Sequence, residues 1–160
     1  MFRFTMFVIW ILVLIVPVLP VYARDFLGRN IDDVARETMV RCLDHDELLQ
    51  LIKGKVVTGE SVKSHWFGVY YKKILGADGS LTTEIYRKGS EQPLKVINDE
   101  QWFVRNDGIL CIKHDNEVTC RKKVCSADGI YFVVLTDDGT INGVWSVGSN
   151  ENAVAEKEDN

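Results

Sequence analysis

The chain has 160 residues, 46% hydrophobic and 26% charged, with a formal net charge of −4, four cysteines and three prolines. That length suits one domain of ordinary size, and the composition is too apolar and too mixed in charge for a disordered chain. The acidic balance argues against a nucleic-acid binder, which needs a basic stripe to neutralise phosphates.

Hydrophobicity is concentrated at the start. Residues 1–23 read as a secretory signal: Arg3 and the amino terminus give a positive start, and Met6 to Val16 are apolar throughout. Pro17 and Pro20 break any helix before a Val21-Tyr22-Ala23 cleavage site. The competing reading is an uncleaved anchor, although the run from Met6 to Tyr22 is at the short limit for spanning ~30 Å of hydrocarbon. Either reading places residues 24–160 outside the cytoplasm, with membrane contact only through the export signal if it stays attached. The chain has no N-x-S/T sequon, which fits a bacterial periplasmic or secreted protein.

Residues 24–53 read as a helical segment. Asn30 can cap a stretch in which Ile31, Val34, Ala35, Met39, Val40 and Leu43 recur at helical spacing. Asp44 with Glu47 forms a second capping box, opening a short helix through Leu48, Leu49, Leu51 and Ile52 that Lys53-Gly54 closes. Residues 54–148 then carry β signals. Asp-Gly pairs at 78–79, 107–108, 128–129 and 138–139 punctuate runs rich in Val, Ile, Thr and aromatics, the pattern of tight hairpins. Strands are expected near 55–59, 65–74, 80–87, 94–97, 101–106, 109–113, 118–124, 130–136 and 140–147. Ile141, Trp145 and Val147 are expected to share a face with Gly143. The fold class is mainly β: an antiparallel meander of about eight strands, preceded by one or two short N-terminal helices. Such a meander hides its edges best by closing, or nearly closing, into a small barrel. Residues 149–160 read as a disordered acidic tail.

Four cysteines behind an export signal read as two disulfides. A hairpin turning at His114-Asp115-Asn116-Glu117 places Cys111 opposite Cys120, and directly opposed residues on antiparallel strands are close enough to bridge. Cys42 and Cys125 remain, able to staple the helical segment to the sheet. Cys125 lies five residues beyond Cys120 and so faces the other way along a continuous strand. Four cysteines allow three connectivities.

The order L-x-G-K-x-V-x-G (Leu51 to Gly59), an aromatic strand with an Asp-Gly hairpin, Q-W-F-V-R-N-D-G-I-L-C (Gln101 to Cys111), Cys120 and D-G-x-Y (Asp128 to Tyr131) resembles a group of small exported proteobacterial proteins of largely undefined function. The resemblance covers roughly residues 46–148 and implies a lipocalin-like or calycin-like barrel. Its motifs are turn glycines, a core tryptophan and paired cysteines, so it is silent on activity. A lipocalin carries an early G-x-W; here Gly143-Val144-Trp145 stands near the end instead.

No H-E-x-x-H, G-x-S-x-G, Walker-type loop or C-x-x-C occurs, so no catalytic residue, metal ligand or cofactor is assigned. Asp44-His45-Asp46-Glu47 reads as a solvated helix start and His114 to Glu117 as a polar hairpin tip. Lys72-Lys73, Arg87-Lys88 and Arg121-Lys122-Lys123 read as solvated strand ends. The aromatic doublets Trp66-Phe67, Tyr70-Tyr71, Trp102-Phe103 and Tyr131-Phe132, inside expected strands, each send one ring inward and one outward. Outward rings mark a contact surface unless the N-terminal helices cover them; inward rings can line a pocket if the barrel is not filled. Trp66, Tyr70, Trp102, Tyr131 and Trp145 are accordingly the candidate ligand-binding residues. The expected function is an exported, non-catalytic binding protein for a small apolar ligand or a protein of the cell envelope. An inhibitor of a secreted protease or lysozyme, and an enzyme using His65 or His114, are the alternatives.

Overall fold

The computed structural model describes residues 25–127 and 131–149. The expected signal, nearly all of the tail and the Asp128-Gly129 turn lie outside the described residues. The elements in chain order are α1 (Ile31–Val34), β1 (Val40–Cys42), α2 (His45–Ile52), β2 (Lys55–Ser61), α3 (Val62–Trp66), β3 (Val69–Leu75), β4 (Ser80–Arg87), β5 (Pro93–Val104), β6 (Ile109–His114), β7 (Glu117–Ala127), β8 (Tyr131–Leu135) and β9 (Ile141–Ser149). Each of β2 to β9 pairs antiparallel with its neighbours in sequence, and β2 also pairs with β9, which closes an eight-stranded barrel. Closure leaves no long edge of unpaired N–H and C=O groups.

Three hairpins share one turn. In residues 76–80, 105–109 and 136–140 the first residue's N–H donates to the fifth residue's carbonyl, and the glycine N–H donates back to the first carbonyl. Only the glycine has positive φ: +90° at Gly79, +75° at Gly108 and +80° at Gly139. The turn is therefore a type I turn with glycine in a bulge position, rather than the two-residue turn in which aspartate also takes positive φ. The aspartates act through their side chains: Asp78 Oδ1 accepts from the Ser80 N–H at 3.0 Å and Asp138 Oδ1 from the Thr140 N–H at 3.0 Å.

The helical preface is shorter than its periodicity suggests. Asn30 does cap α1, accepting from the Asp32 N–H at 2.8 Å, but the helix ends at Val34 and Val40–Cys42 is a strand. β6 pairs with β7 only as far as Lys123, and β1 takes the vacated side at residues 125–127, with Cys42 opposite Cys125. Helical spacing lost to an available sheet edge and a covalent tie. α2 forms as expected, with a complete capping box: Asp44 Oδ1 accepts from the Glu47 N–H at 2.9 Å, and Glu47 Oε2 from the Asp44 N–H at 3.1 Å. Gly54, at φ +69°, ends it.

Two apolar clusters result. Inside the barrel, Leu43, Leu48 and Ile52 from the α2 region pack with Val57, Leu75, Leu81, Trp102, Leu110, Val124, Val134 and Trp145, so α2 plugs one end. Outside, Val34 and Cys125 pack with Val133, Leu135, Ile141 and Val144, with Phe26, Leu27, Ile31 and Val40 around them. Ile141 thus does not share a face with Trp145. The register slips between Val134/Gly143 and Leu135/Ile141, which makes Asn142 a bulge and turns Ile141 outward.

Both expected disulfides are present, Cys42–Cys125 and Cys111–Cys120, and no cysteine is free. The facing argument behind the first pair needs correction. Leu110 pairs with Lys122 and Cys111 with Cys120, leaving Arg121 as an extra residue. This bulge absorbs one step of alternation, so Cys120 and Cys125 lie on the same outer face. Strands 94–97 and 101–106 likewise merge into β5 through a bulge at Asn98-Asp99, where Asp99 takes φ +68°.

Cys42–Cys125 spans 83 residues and Cys111–Cys120 spans 9. Chain-entropy scaling assigns them about 4.5 and about 2.6 kcal/mol. Replacing each pair by alanine should therefore destabilise the 42–125 variant more, by about 2 kcal/mol, in urea unfolding followed by circular dichroism. Equal losses would show that residual structure, not loop length, governs the effect.

Candidate ligand site in the open end of the barrel

At the end opposite α2 the barrel holds a cavity of about 370 Å³, lined by Ser61, Lys63 and Ser64 from the β2–α3 corner, Val69 to Tyr71 and Lys73 from β3, Thr83 and Ile85 from β4, Lys122 from β7, and Val134, Asn142 and Gly143. That volume lies at the lower end of the range for small-molecule sites. A shallower groove runs between α2 and β8–β9 past Arg41, Gln50, Phe132 and Val147; it contains none of the buried ionisable groups that distinguish the cavity.

Its geometry starts at Gly59, which pairs with Tyr71 on one side and Trp145 on the other. A Cβ there would lie 2.7 Å from Trp145 Cδ1, 2.7 Å from the Val144 carbonyl oxygen and 2.9 Å from the Tyr71 hydroxyl. The missing side chain lets Trp145 Nε1 donate to the Tyr71 hydroxyl at 2.7 Å. Burial, reinforced by the charge of Glu60, holds the Tyr71 phenol above its ordinary range, against the opposing hydrogen bond from Trp145.

Two residues along β3, Lys73 is only 8% exposed. Its Nζ donates to Thr83 Oγ1 at 3.1 Å and lies 5.7 Å from the centre of the Tyr71 ring, a cation–π distance. Thr83 Oγ1 donates onward to Glu100 Oε2 at 2.8 Å. Burial pushes the Lys73 ammonium down to about 8; the positive charge of Lys122 adds to this and Glu100 opposes it. Lys122 is also lowered, first by burial, with Glu100 again opposing. The cavity floor therefore carries two lysines, with one carboxylate behind it that Lys73 reaches through Thr83.

α3 forms the rim. Ser61 and Ser64 cap each other's backbone N–H, at 3.2 Å and 2.6 Å, and Gly68 ends the turn at φ +65°. The strand expected over 65–74 therefore begins only at Val69, and Trp66 and Phe67 are both turned out, 77% and 79% exposed. On the outer side of this corner Glu60, 5% exposed, accepts from Lys88 Nζ at 3.0 Å and lies 3.0 Å from His65 Nδ1. His65 belongs to that outer ion cluster, and His114 stands exposed beside Asp115 on the β6–β7 hairpin.

The five aromatic candidates do not converge. Only Tyr70 lines the cavity, at its rim, and its ring stacks on Tyr86 at 5.2 Å. Trp102 and Trp145 are 5% exposed in the filled half, where Trp102 Nε1 donates to the Gly76 carbonyl at 3.0 Å. Trp66 is on α3, and Tyr131 packs edge-on against Phe26 at 6.5 Å. The remaining doublets divide as expected: Tyr71 and Phe132 pack toward the inner core, while Phe103 is exposed. The N-terminal segment covers the Tyr131 side and leaves Trp66, Phe67 and Phe103 uncovered. Lys73 and Lys122, expected in solvated strand ends, instead line the cavity because both lie on inward-facing positions of their strands; Thr83 and Glu100 drew no notice in the sequence. Among the described residues, no three His, Cys, Asp or Glu side chains converge to hold a metal ion.

Comparison with protein families, curated proteins and solved structures returned no match.

Two outcomes follow from this geometry. Gly59→Ala should cost about 1–3 kcal/mol by overpacking, with altered tryptophan fluorescence as the Trp145–Tyr71 contact shifts; unchanged stability and spectrum would show that the crowding is relieved cheaply. Lys73 binds fewer protons when folded than when unfolded between about pH 8 and its ordinary range, so stability should rise with pH there. Wild type should gain relative to Lys73→Met between pH 7.5 and 9.5, on the order of 1–3 kcal/mol, in urea titrations at each pH. Parallel pH profiles would mean that the Lys73 ammonium is solvated.

Proposed function

We propose that the chain is an exported, non-catalytic binding protein that takes a small ligand into the open end of its barrel. The observation carrying this reading is the division of the interior: α2 and the tryptophans fill one half, and the other half is a cavity with a rim. Two disulfides fit an oxidising, extracytoplasmic compartment, and the apolar leader fits export to the periplasm or medium. Among the described residues no helix is long and apolar enough to cross a membrane. Walls from Val69, Tyr71, Ile85 and Val134 suit a ligand with an apolar body.

One observation favours a second reading, in which a protein partner docks on the rim: Trp66 and Phe67 are adjacent, large and exposed. Such pairs are common anchors of interfaces.

The ligand reading predicts saturable 1:1 binding of the neutral apolar dye N-phenyl-1-naphthylamine. It also predicts loss of that binding in Ile85→Trp, which fills the cavity, and retention in Trp66→Ser/Phe67→Ser. Thermal melts of each variant check that the fold persists. Binding that survives Ile85→Trp but not the rim variant would move the site to the rim; a folded wild type that takes up no dye would overturn the reading.

A further inference from the structure

Every ionisable group facing the cavity can be placed. Lys73 and Lys122 stand on its floor, Glu100 accepts from Thr83 behind it, Tyr71 lies on the wall, and Tyr70 and the exposed Lys63 are at the rim. Lys63 is open to solvent and screened. Tyr71 stays neutral across the ordinary pH range, because burial raises it. Around the cavity this leaves Lys73, which is buried, and Lys122 and Glu100, which are half-buried: two positive charges against one negative, with the buried Glu60 held on the outer side by Lys88. The charge of Glu100 acts on both lysines, but hydrogen bonds through Thr83 tie it to Lys73, so the surplus falls on Lys122, which makes no hydrogen bond or ion pair among the described residues.

A surplus charge in a poorly solvated interior is costly unless a counter-charge reaches it. Here the open end of the cavity gives a counter-charge a route to Lys122. The lining sorts by depth in a way that fits such an entry. Val69, Tyr70 and Ser64 lie toward the rim, Ile85, Tyr71 and Val134 on the walls, and Lys73, Thr83 and Lys122 at the floor, by their positions along β3, β4 and β7. A guest whose head reaches the floor leaves its body against the apolar walls.

We infer that the cavity selects a monoanionic organic acid, its carboxylate seated between Lys122 and Lys73 and its apolar body pointing to the rim. This rests on the cavity being a ligand site, as proposed above. A single surplus cation matches a single negative charge, which is why a carboxylate fits better than a dianionic phosphate monoester. Asn142, brought to the lining by the β9 bulge, and the Tyr71 hydroxyl supply further polar contacts.

The test is competition between octanoate and 1-octanol for the bound N-phenyl-1-naphthylamine, in wild type, Lys122→Met and Glu100→Gln at pH 7. Octanoate should displace the dye at about tenfold lower concentration than octanol in wild type. Lys122→Met should abolish that preference while leaving octanol unchanged. Glu100→Gln, which raises the surplus by one charge, should strengthen octanoate binding relative to wild type. Equal displacement by acid and alcohol in wild type, or an octanoate affinity that ignores both substitutions, overturns the inference while leaving the cavity a ligand site. Failure of the wild type to bind the dye at all removes the ligand reading itself, and the inference with it. Melting curves and dye affinity show whether each variant retains its fold and cavity.

Discussion

The hydrogen bond from Trp145 to Tyr71, made across the side-chain-free position of Gly59, divides the interior of this barrel in two. On one side the indole packs with Trp102, Leu75, Leu81 and the α2 leucines into a filled core. On the other, the Tyr71 ring forms the wall of a cavity and stands over the Lys73 ammonium. With any larger residue at position 59 the two rings could not approach, because the same space is bounded by the Val144 backbone. An eight-stranded barrel is about wide enough to be filled by its own side chains or to hold one small ligand; here each half does one of these.

The filled half provides the stability that the other half draws on. Taking Lys73 and, in part, Lys122 out of water opposes folding, since both ammonium groups lose hydration and repel each other, with one carboxylate nearby to offset them. Such a cluster persists only where packing elsewhere outweighs it, and the α2 plug, the closed strand ladder and the two disulfides supply that.

Much of the architecture was legible in the residues. Asp-Gly turns, β-branched runs and the Asp44–Glu47 box mark the hairpins and α2, and the opposed cysteines of the 111–120 hairpin give one bridge outright. What was not legible shares a single physical cause. Glu100 follows the bulge at Asn98-Asp99, Lys122 follows the bulge at Arg121, and Asn142 is itself a bulge. Alternation along a strand says which side chains face inward only while the register is unbroken. Arg121-Lys122-Lys123 therefore reads as a solvated run, although Lys122 points into the barrel. The α3 corner escaped notice for a related reason: a Ser61–Ser64 pair lacks the acidic partner of the usual capping box, and the aromatic run after it reads as strand.

Local chemistry in the sequence determined the strand-rich class, the turn positions and the Cys111–Cys120 bridge, because each depends on residues near in sequence or on hairpin geometry. Tertiary structure decided which end is plugged, that residues 40–42 leave their helical pattern for the free side of β7, and that two lysines meet on a cavity floor backed by one glutamate. Those outcomes depend on register slips and barrel closure, which bring together residues from β3, β4, β5 and β7. No local pattern encodes that meeting, because it is set by the sum of pairings around the ring.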